Sequence, residues 1–216
     1  MSKLVIASGN AGKLREIARI LGPFGIEAVP QSQFNVPDCP EPHVTFVENC
    51  LAKARHASLH SGLPALADDS GICVDALGGA PGVQSARYAG EPKSDASNND
   101  KLIADLANAS NRRAYDSTRA LARSGSESFR AHYTCVMVYV RHPDDPEPVI
   151  AEGRWYGEII DTPRGENGFG YDPYFLVPEF DKTGAELDED TKNSISHRGQ
   201  ALRDLVEKLK QQNRLG

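Results

Sequence analysis

The sequence has no apolar run that approaches the ~20 residues needed to cross a membrane. It also lacks a basic excess, because 30 acidic residues against 24 lysines and arginines give a formal net charge of −6. Proteins that coat nucleic acid or bind a membrane surface need clustered positive charge, so we expect neither kind of partner. A small anionic ligand needs only a local basic pocket, and this net charge does not exclude one.

Cysteine is scarce as well. No two cysteines form a C-x-x-C pair, and a disulfide framework is not expected in a chain of 216 residues; the four are Cys39, Cys50, Cys73 and Cys135. The first residues, MSKLVIASGN, are interrupted by polar residues too soon to form a signal peptide. These features together predict a protein of the reducing cytoplasm.

The hydrophobic pattern predicts a mixed α/β domain over residues 1–216, with a central sheet and flanking helices. Apolar residues recur at helical spacing from Leu14 to Leu21, and Gly22-Pro23 ends that helix. Further helices are predicted at 45–60, 99–107 and about 199–209. Strands are predicted at 3–7, 65–77, 133–140, 149–160 and 175–177, with loops at 30–44 and 78–98 and an arginine-rich insertion at 112–130.

The segment SGNAGK, residues 8–13, follows the first strand and opens the first helix. A small-residue turn at a helix N-terminus can bind phosphate, because free N–H groups and the helix dipole favour an anion. Lys13 lies in the first helical turn, where a cation is unfavourable unless an anion is bound beside it. The alternative is an ordinary strand-to-helix turn with Asn10 as the N-cap. The candidate phosphate-binding residues are Ser8, Gly9, Asn10, Ala11, Gly12 and Lys13.

Two aspartates, Asp68 and Asp69, interrupt an apolar strand in ALADDSGICVDALGG. A buried carboxylate costs several kcal/mol, so a cation is expected beside the pair. Mg²⁺ takes oxygen ligands, which Asp68, Asp69 and Glu48 would supply. Because successive strand residues point to opposite faces, the two aspartates converge only if the strand ends or bulges near Ser70-Gly71. The alternative is a turn in which Asp68 is a cap.

Glu48 also has a purely structural explanation. Thr45-x-x-Glu48 is a capping box that opens a helix, and the spacing alone favours capping over metal binding. Lys53 lies one and a half turns further along the same predicted helix. The metal-binding role of Glu48 therefore depends on more than its spacing.

Two later segments carry candidate ligand-binding residues. In NGFGYDPYF, residues 167–175, Phe169 lies between two glycines, so the backbone can approach a flat ligand while the ring covers it. In TKNSISHRGQAL, three basic residues near the start of the last helix can contact phosphate oxygens or a base edge: Lys192, His197 and Arg198. The alternatives are a glycine-rich loop before a strand and a helix start capped by Ser196.

Taken together, five separated blocks resemble the inosine/xanthosine triphosphate pyrophosphatases. The blocks are SGNAGKLREI, TFVENCLAKARHA, ADDSGICVDALGGAPGVQSARYAG, NGFGYDPYF and SHRGQAL, in order along nearly the whole chain. The resemblance implies an α/β fold with a mixed sheet and two lobes around an active-site cleft, assembled as a homodimer. It also implies Mg²⁺-dependent release of pyrophosphate from ITP, dITP or XTP. The match is weakest over residues 112–130.

The resemblance also implies roles for individual residues. Residues 8–13 would hold phosphates, Lys53 would neutralise them, and Ser70 would contact the substrate. Glu48 and Asp69 would serve the metal with Asp68 beside them, and Asp69 would be the general base that activates water. The base pocket would comprise Phe169, Gly170, Tyr171, Asp172, Lys192, His197 and Arg198.

Two rival interpretations remain open. A non-catalytic nucleotide-binding protein of the same fold would keep SGNAGK and Phe169 but would not need the acidic residues. A Maf-like pyrophosphatase would act on pyrimidine or modified nucleotides, whereas the FGYD and SHRG segments favour a purine.

Overall fold

The computed structural model describes residues 2–116 and 129–214. Its strands are Ser2–Ala7 (β1), Ile26–Pro30 (β2), Ala65–Val74 (β3), Phe129–Val140 (β4), Val149–Ile159 (β5), Phe175–Val177 (β6) and Lys182–Thr183 (β7). Its helices are Ala11–Leu21 (α1), Phe46–Ser61 (α2), Asp95–Asp116 (α3), Glu189–Ile195 (α4) and His197–Gln211 (α5). Among the described helices, none combines the length and apolar character that a membrane span requires.

The seven strands form one mixed sheet in the order β2-β1-β3-β4-β5-β6-β7. Strand β1 runs parallel to both β2 and β3, with Val5 opposite Val29 and Ala65. Strands β5, β6 and β7 pair antiparallel. The predicted mixed sheet with flanking helices is therefore confirmed.

The chain divides into two compact units. The first comprises Met1–Ser70, Thr134–Arg154 and Asn193–Gly216, and the second comprises Gly71–Tyr133 and Trp155–Lys192. Strands β3, β4 and β5 each contribute residues to both units.

In the first unit, helices cover both faces of the sheet, and strand alternation decides which residue faces which helix. On one face Leu4, Ile6 and Leu66 belong to a core cluster that contains residues of α1 and α5. On the opposite face, the cluster contains residues of α2 and the alternating strand residues Val5, Ala7, Ala65 and Ala67. Even-numbered β3 residues thus face α1 and α5, and odd-numbered ones face α2.

The second unit contains an aromatic cluster. Phe175 is fully buried, with its ring centroid 4.8 Å from that of Tyr133 and 4.9 Å from that of Trp155. Helix α3 buries Leu102 and Leu106 in the same unit.

Several predicted boundaries are wrong. The sequence predicts no strand at Ile26–Pro30, where the structure has β2, because five residues at the sheet edge are too few to show a clear alternation. Helix α3 begins at Asp95 rather than residue 99 and continues through residues 112–116 of the predicted insertion; residues 117–128 lie outside the described residues. Strand β3 ends at Val74 instead of residue 77, because a 3-10 turn follows. Helix α4 and strand β7 were not predicted.

Candidate active site

The turn between β1 and α1 has the geometry of a helix N-terminus open to solvent. Asn10 has an extended backbone, and its side chain accepts a hydrogen bond from Lys13 N at 3.1 Å, so the predicted N-cap is confirmed. Ser8 Oγ accepts from Asn10 N at 3.2 Å. Gly9, Asn10 and Ala11 are exposed, so an anion can approach the free N–H groups at this helix end.

The carboxylate of Asp68 lies at the centre of a buried charge cluster. It accepts hydrogen bonds from Lys13 Nζ, Arg198 Nε at 2.8 Å, Ser70 Oγ at 3.0 Å and the thiol of Cys135 at 3.2 Å. Burial raises the pKa of Asp68, but Arg198 and Lys13 outweigh that effect and hold the pKa well below its usual range. Asp68 is therefore ionised throughout the physiological pH range.

Arg198 completes this cluster from the first turn of α5. Its side chain is 3% exposed, and its guanidinium also pairs with the carboxylate of Glu16 on α1 and donates to Ser70 Oγ at 3.0 Å. We call Lys13, Glu16, Asp68 and Arg198 the Asp68 cluster. Its two cations and two anions balance.

Asp69 lies on the opposite face of β3 with a different set of partners. Lys53 Nζ, from α2, donates to Asp69 Oδ1 at 2.8 Å and to the Asp68 carbonyl at 3.0 Å. Glu41 lies 3.6 Å from the same Nζ. We call Asp69, Lys53 and Glu41 the Asp69 cluster.

The two carboxylate oxygens of Asp69 have different surroundings. Asp69 Oδ2 is buried, and no donor among the described residues reaches it. Burial raises the pKa of Asp69, Lys53 lowers it less, and the net shift is upward. The two adjacent aspartates therefore have pKa values shifted in opposite directions.

The side chains of Asp68 and Asp69 have different partners on opposite faces of β3. Strand β3 continues to Val74, so it does not end near Ser70-Gly71, and the alternative of a bulge there stays a prediction. Glu48 is exposed, and its Oε2 accepts from Thr45 Oγ1 at 2.5 Å, while its N donates to the same hydroxyl at 3.4 Å. Within residues 2–116 and 129–214, no group of three or more acidic, histidine or cysteine side chains is arranged to hold a metal. The metal role of Glu48 stays a prediction.

Sequence reasoning missed Glu16, which belongs to the Asp68 cluster, and Glu41, which belongs to the Asp69 cluster. Glu41 lies in a proline-flanked loop with no periodicity, and Glu16 is one of several polar residues on an amphipathic helix. Only the strand alternation at β3, combined with the helix on each face, would have placed these acids near the aspartates.

In the second unit, two glycines and the side chain of Asp172 shape the segment around Phe169. Gly168 and Gly170 have φ of +78° and +65°, which only glycine adopts easily, while the predicted approach of this backbone to a flat ligand stays a prediction. Asp172 Oδ2 accepts from Phe169 N at 2.9 Å and from Lys192 Nζ at 2.6 Å. The Nζ of Lys192 lies 5.3 Å from the centroid of the Phe169 ring.

The remaining predicted residues have structural contacts as well. Tyr171 is buried and its hydroxyl donates to the Ser85 carbonyl at 2.8 Å. His197 is buried at the first position of α5. Ser196 Oγ accepts from Gly199 N at 3.2 Å, which confirms Ser196 as the N-cap.

Comparison with known proteins adds independent information. Residues 4–208 match the model of the Ham1 family. A dITP/XTP pyrophosphatase of Ralstonia nicotianae is 56% identical over 213 residues, covering 97% of this chain and 98% of that protein. One from Nitrosomonas europaea is 59% identical over 209 residues, covering 97% and 95%.

Solved structures match the fold over the same length. A HAM1 protein from Coxiella burnetii has a TM-score of 0.83 at 45% identity, covering 98% of this chain and all of that one. The Ham1 protein of Staphylococcus aureus has a TM-score of 0.79 at 37% identity. A family model and relatives that each span nearly the whole chain establish that this protein belongs to the Ham1 family.

Proposed function

We propose that this protein hydrolyses non-standard purine nucleoside triphosphates, namely ITP, dITP and XTP, to the monophosphate and pyrophosphate. The observation that carries the proposal is the near-full-length identity of 56–59% to proteins named dITP/XTP pyrophosphatase. Such an activity removes these nucleotides from the pool before they are incorporated into DNA or RNA. We further propose that it acts in the cytoplasm as a homodimer.

Asp69 has the properties that a general base needs. No donor among the described residues reaches its Oδ2, which can accept a proton, and the upward shift of its pKa brings the carboxylate closer to the operating pH. Lys53 holds Oδ1, so the orientation of the carboxylate is fixed before substrate binds. Asp68 cannot share this role, because both of its oxygens already accept hydrogen bonds.

The proposed step is an attack by water on the α-phosphorus. Asp69 Oδ2 takes the proton as the bond from the water oxygen to phosphorus forms. The bond from the α-phosphorus to the bridging oxygen breaks, and pyrophosphate leaves with that electron pair. Most of the catalysis in such a reaction is positioning and charge stabilisation. The N–H groups at the start of α1 would hold phosphate oxygens.

The Asp69 cluster also fits a magnesium ion. Mg²⁺ keeps several waters and is commonly held by one or two carboxylates together with substrate phosphates. Asp69 and Glu48, with Asp68 beside them, are the predicted carboxylates, and Glu41 is a further candidate because it and Asp69 both contact Lys53. When bound, the ion supplies positive charge that neutralises the phosphate oxygens.

We propose that the purine ring stacks on Phe169. Asp172 accepts a hydrogen bond from the Phe169 backbone N–H, and Lys192 Nζ lies 5.3 Å from the centroid of the Phe169 ring. These contacts orient Phe169 as a stacking platform. Hydrogen-bond donors directed at the 6-oxo group would reject ATP, because its 6-amino group would face a donor. Sites built on such hydrogen bonds discriminate by roughly 10⁴ or more.

Pyrophosphate release in the presence of Mg²⁺ tests the proposal with ITP, XTP, dITP, GTP, ATP and UTP as substrates. We expect turnover of ITP, dITP and XTP and little of the others. Asp69→Asn should abolish it in a folded protein, while Asp144→Asn, which changes an exposed aspartate, should not. Preference for UTP would favour a Maf-like enzyme, and nucleotide binding without turnover a non-catalytic protein.

A further inference from the structure

The backbone of Gly170 is held at both of its polar groups by one helix. Its N–H donates to Asp95 Oδ2 at 2.8 Å, and its carbonyl accepts from Asn99 Nδ2 at 3.0 Å. Asp95 and Asn99 lie in the first turns of α3, four residues apart, so both project from the same side of the helix. All three residues belong to the second unit.

The side chain that holds the Gly170 carbonyl, that of Asn99, is a buried amide. The residue is 7% exposed, and its Oδ1 has no partner among the described residues. A buried amide oxygen without a donor is unfavourable, and Nδ2 of the same amide donates to the Gly170 carbonyl, so the side chain is paired at one of its two polar ends. The neighbouring Asn98 serves a different segment, because it donates to the Ala86 carbonyl and accepts from Ala89 N.

Helix α3 contacts the residue that follows Phe169, whereas the Asp172 side chain contacts the N–H of Phe169 itself. Asp172 fixes the Phe169 N–H, whereas Asp95 and Asn99 fix the next residue. Gly170 has a φ of +65° and no side chain that could hold it in place. The carbonyl of the peptide after Phe169 accepts from Asp172 N at 3.4 Å, and the two contacts from α3 add to this turn hydrogen bond.

We infer that Asp95 and Asn99 are positioning residues that hold the Phe169 ring ready to stack on the base. The inference rests on the proposed function, which makes Phe169 a stacking platform. A ring held in its binding orientation loses less conformational freedom when ligand arrives, so affinity rises without a new contact. Substitution of Asp95 or Asn99 would then change KM far more than kcat.

Conservative variants give a sharp test with ITP as substrate. Asp95→Asn keeps an acceptor for the Gly170 N–H and should behave like wild type, whereas Asp95→Ala should raise KM about fivefold. Asn99→Asp loses the donor to the Gly170 carbonyl and should raise KM about tenfold, the scale of one lost buried hydrogen bond. In each case kcat should stay within about twofold. Asp100→Ala, an exposed acid on the same helix, is the matched control.

Combination with Phe169→Ala separates positioning from general stability. If Asp95 and Asn99 act through the ring, Asp95→Ala and Asn99→Asp should have little further effect on KM once the ring is gone. An equal loss in both backgrounds, or an equal loss in Asp100→Ala, would overturn the inference.

Hydrogen exchange tests the same contact without turnover. The amide of Gly170 should exchange faster in Asp95→Ala than in wild type or Asp100→Ala, and unchanged exchange would refute the inference. Absence of pyrophosphate release by wild type would instead refute the proposed function, so the two failures are distinguishable.

Discussion

Replacing Asp68 with asparagine tests whether the Asp68 cluster is held together by that one carboxylate. The substitution keeps the shape of the side chain and removes its charge, and it leaves Lys13 and Arg198 beside a neutral amide. Arg198 is 3% exposed and Lys13 is 16% exposed, so solvent cannot fully replace the lost partner. Removing one partner of a buried ion pair costs about 3–5 kcal/mol.

Glu16 moderates this cost, because it still pairs with Arg198 when Asp68 is neutral. We therefore expect Asp68→Asn to lower the free energy of unfolding by about 3 kcal/mol, at the low end of that range. Urea unfolding followed by circular dichroism measures the change, with Asp144→Asn as the exposed control. In a Lys13→Met background, one of the two cations is already gone, so the same substitution should cost less.

The dependence on pH follows from the lowered pKa of Asp68. A carboxyl whose folded pKa is depressed stabilises the protein fully above its unfolded pKa of about 3.9. That contribution is lost as the pH falls through the folded pKa. The difference in stability between wild type and Asp68→Asn should therefore be constant from pH 5 to 8 and narrow below about pH 4. A difference under about 1 kcal/mol at pH 7, or one that widens in acid, would refute the reasoning.

Four further substitutions test the remaining assignments. Lys53→Met removes the cation that lowers the pKa of Asp69, so the acidic limb of the pH–kcat/KM profile should move to higher pH; an unmoved limb would remove Asp69 from the role of base. Glu48→Gln should raise the Mg²⁺ concentration needed for half-maximal activity, as the predicted metal role of Glu48 requires, and Glu41→Gln should raise it as well; a normal Mg²⁺ dependence in Glu48→Gln would leave Glu48 as a capping residue only. Phe169→Ala should raise KM for ITP and ATP by similar factors, since stacking does not read the 6-position; a changed ratio would contradict stacking alone.

The helices that sequence predicted best have either a strong hydrophobic period or clear signals at their ends. Helix α1 was predicted from an apolar recurrence ended by Gly22-Pro23, and the structure ends it at Leu21. Helix α2 was predicted from its capping box and lies within one residue of the predicted bounds. Strand β2 and helix α4 were not predicted, because five and seven residues hold too little of either period to distinguish them from a loop.

The sequence predicts a positive charge beside the aspartates, but it does not predict which side chains of the chain carry it. Apolar residues on both sides of Asp68 and Asp69 implied burial, and burial implied a positive partner. The partners are residues of this chain, and Arg198 lies 130 positions away from Asp68. No local period encodes a contact of that separation; it depends on α5 packing against the same sheet face as α1.

Strand alternation explains why two adjacent aspartates have different surroundings. Asp68 faces α1 and α5, where two cations and the acid Glu16 bring the cluster to zero net charge. Asp69 faces α2, where Lys53 Nζ contacts both Asp69 and Glu41. Arg198 and Lys13 hold the pKa of Asp68 well below its usual range, whereas burial raises the pKa of Asp69. The proposed role of Asp69 as the base rests on this difference. A one-residue shift of β3 would exchange the two environments, so the register of this strand decides which aspartate has which partners.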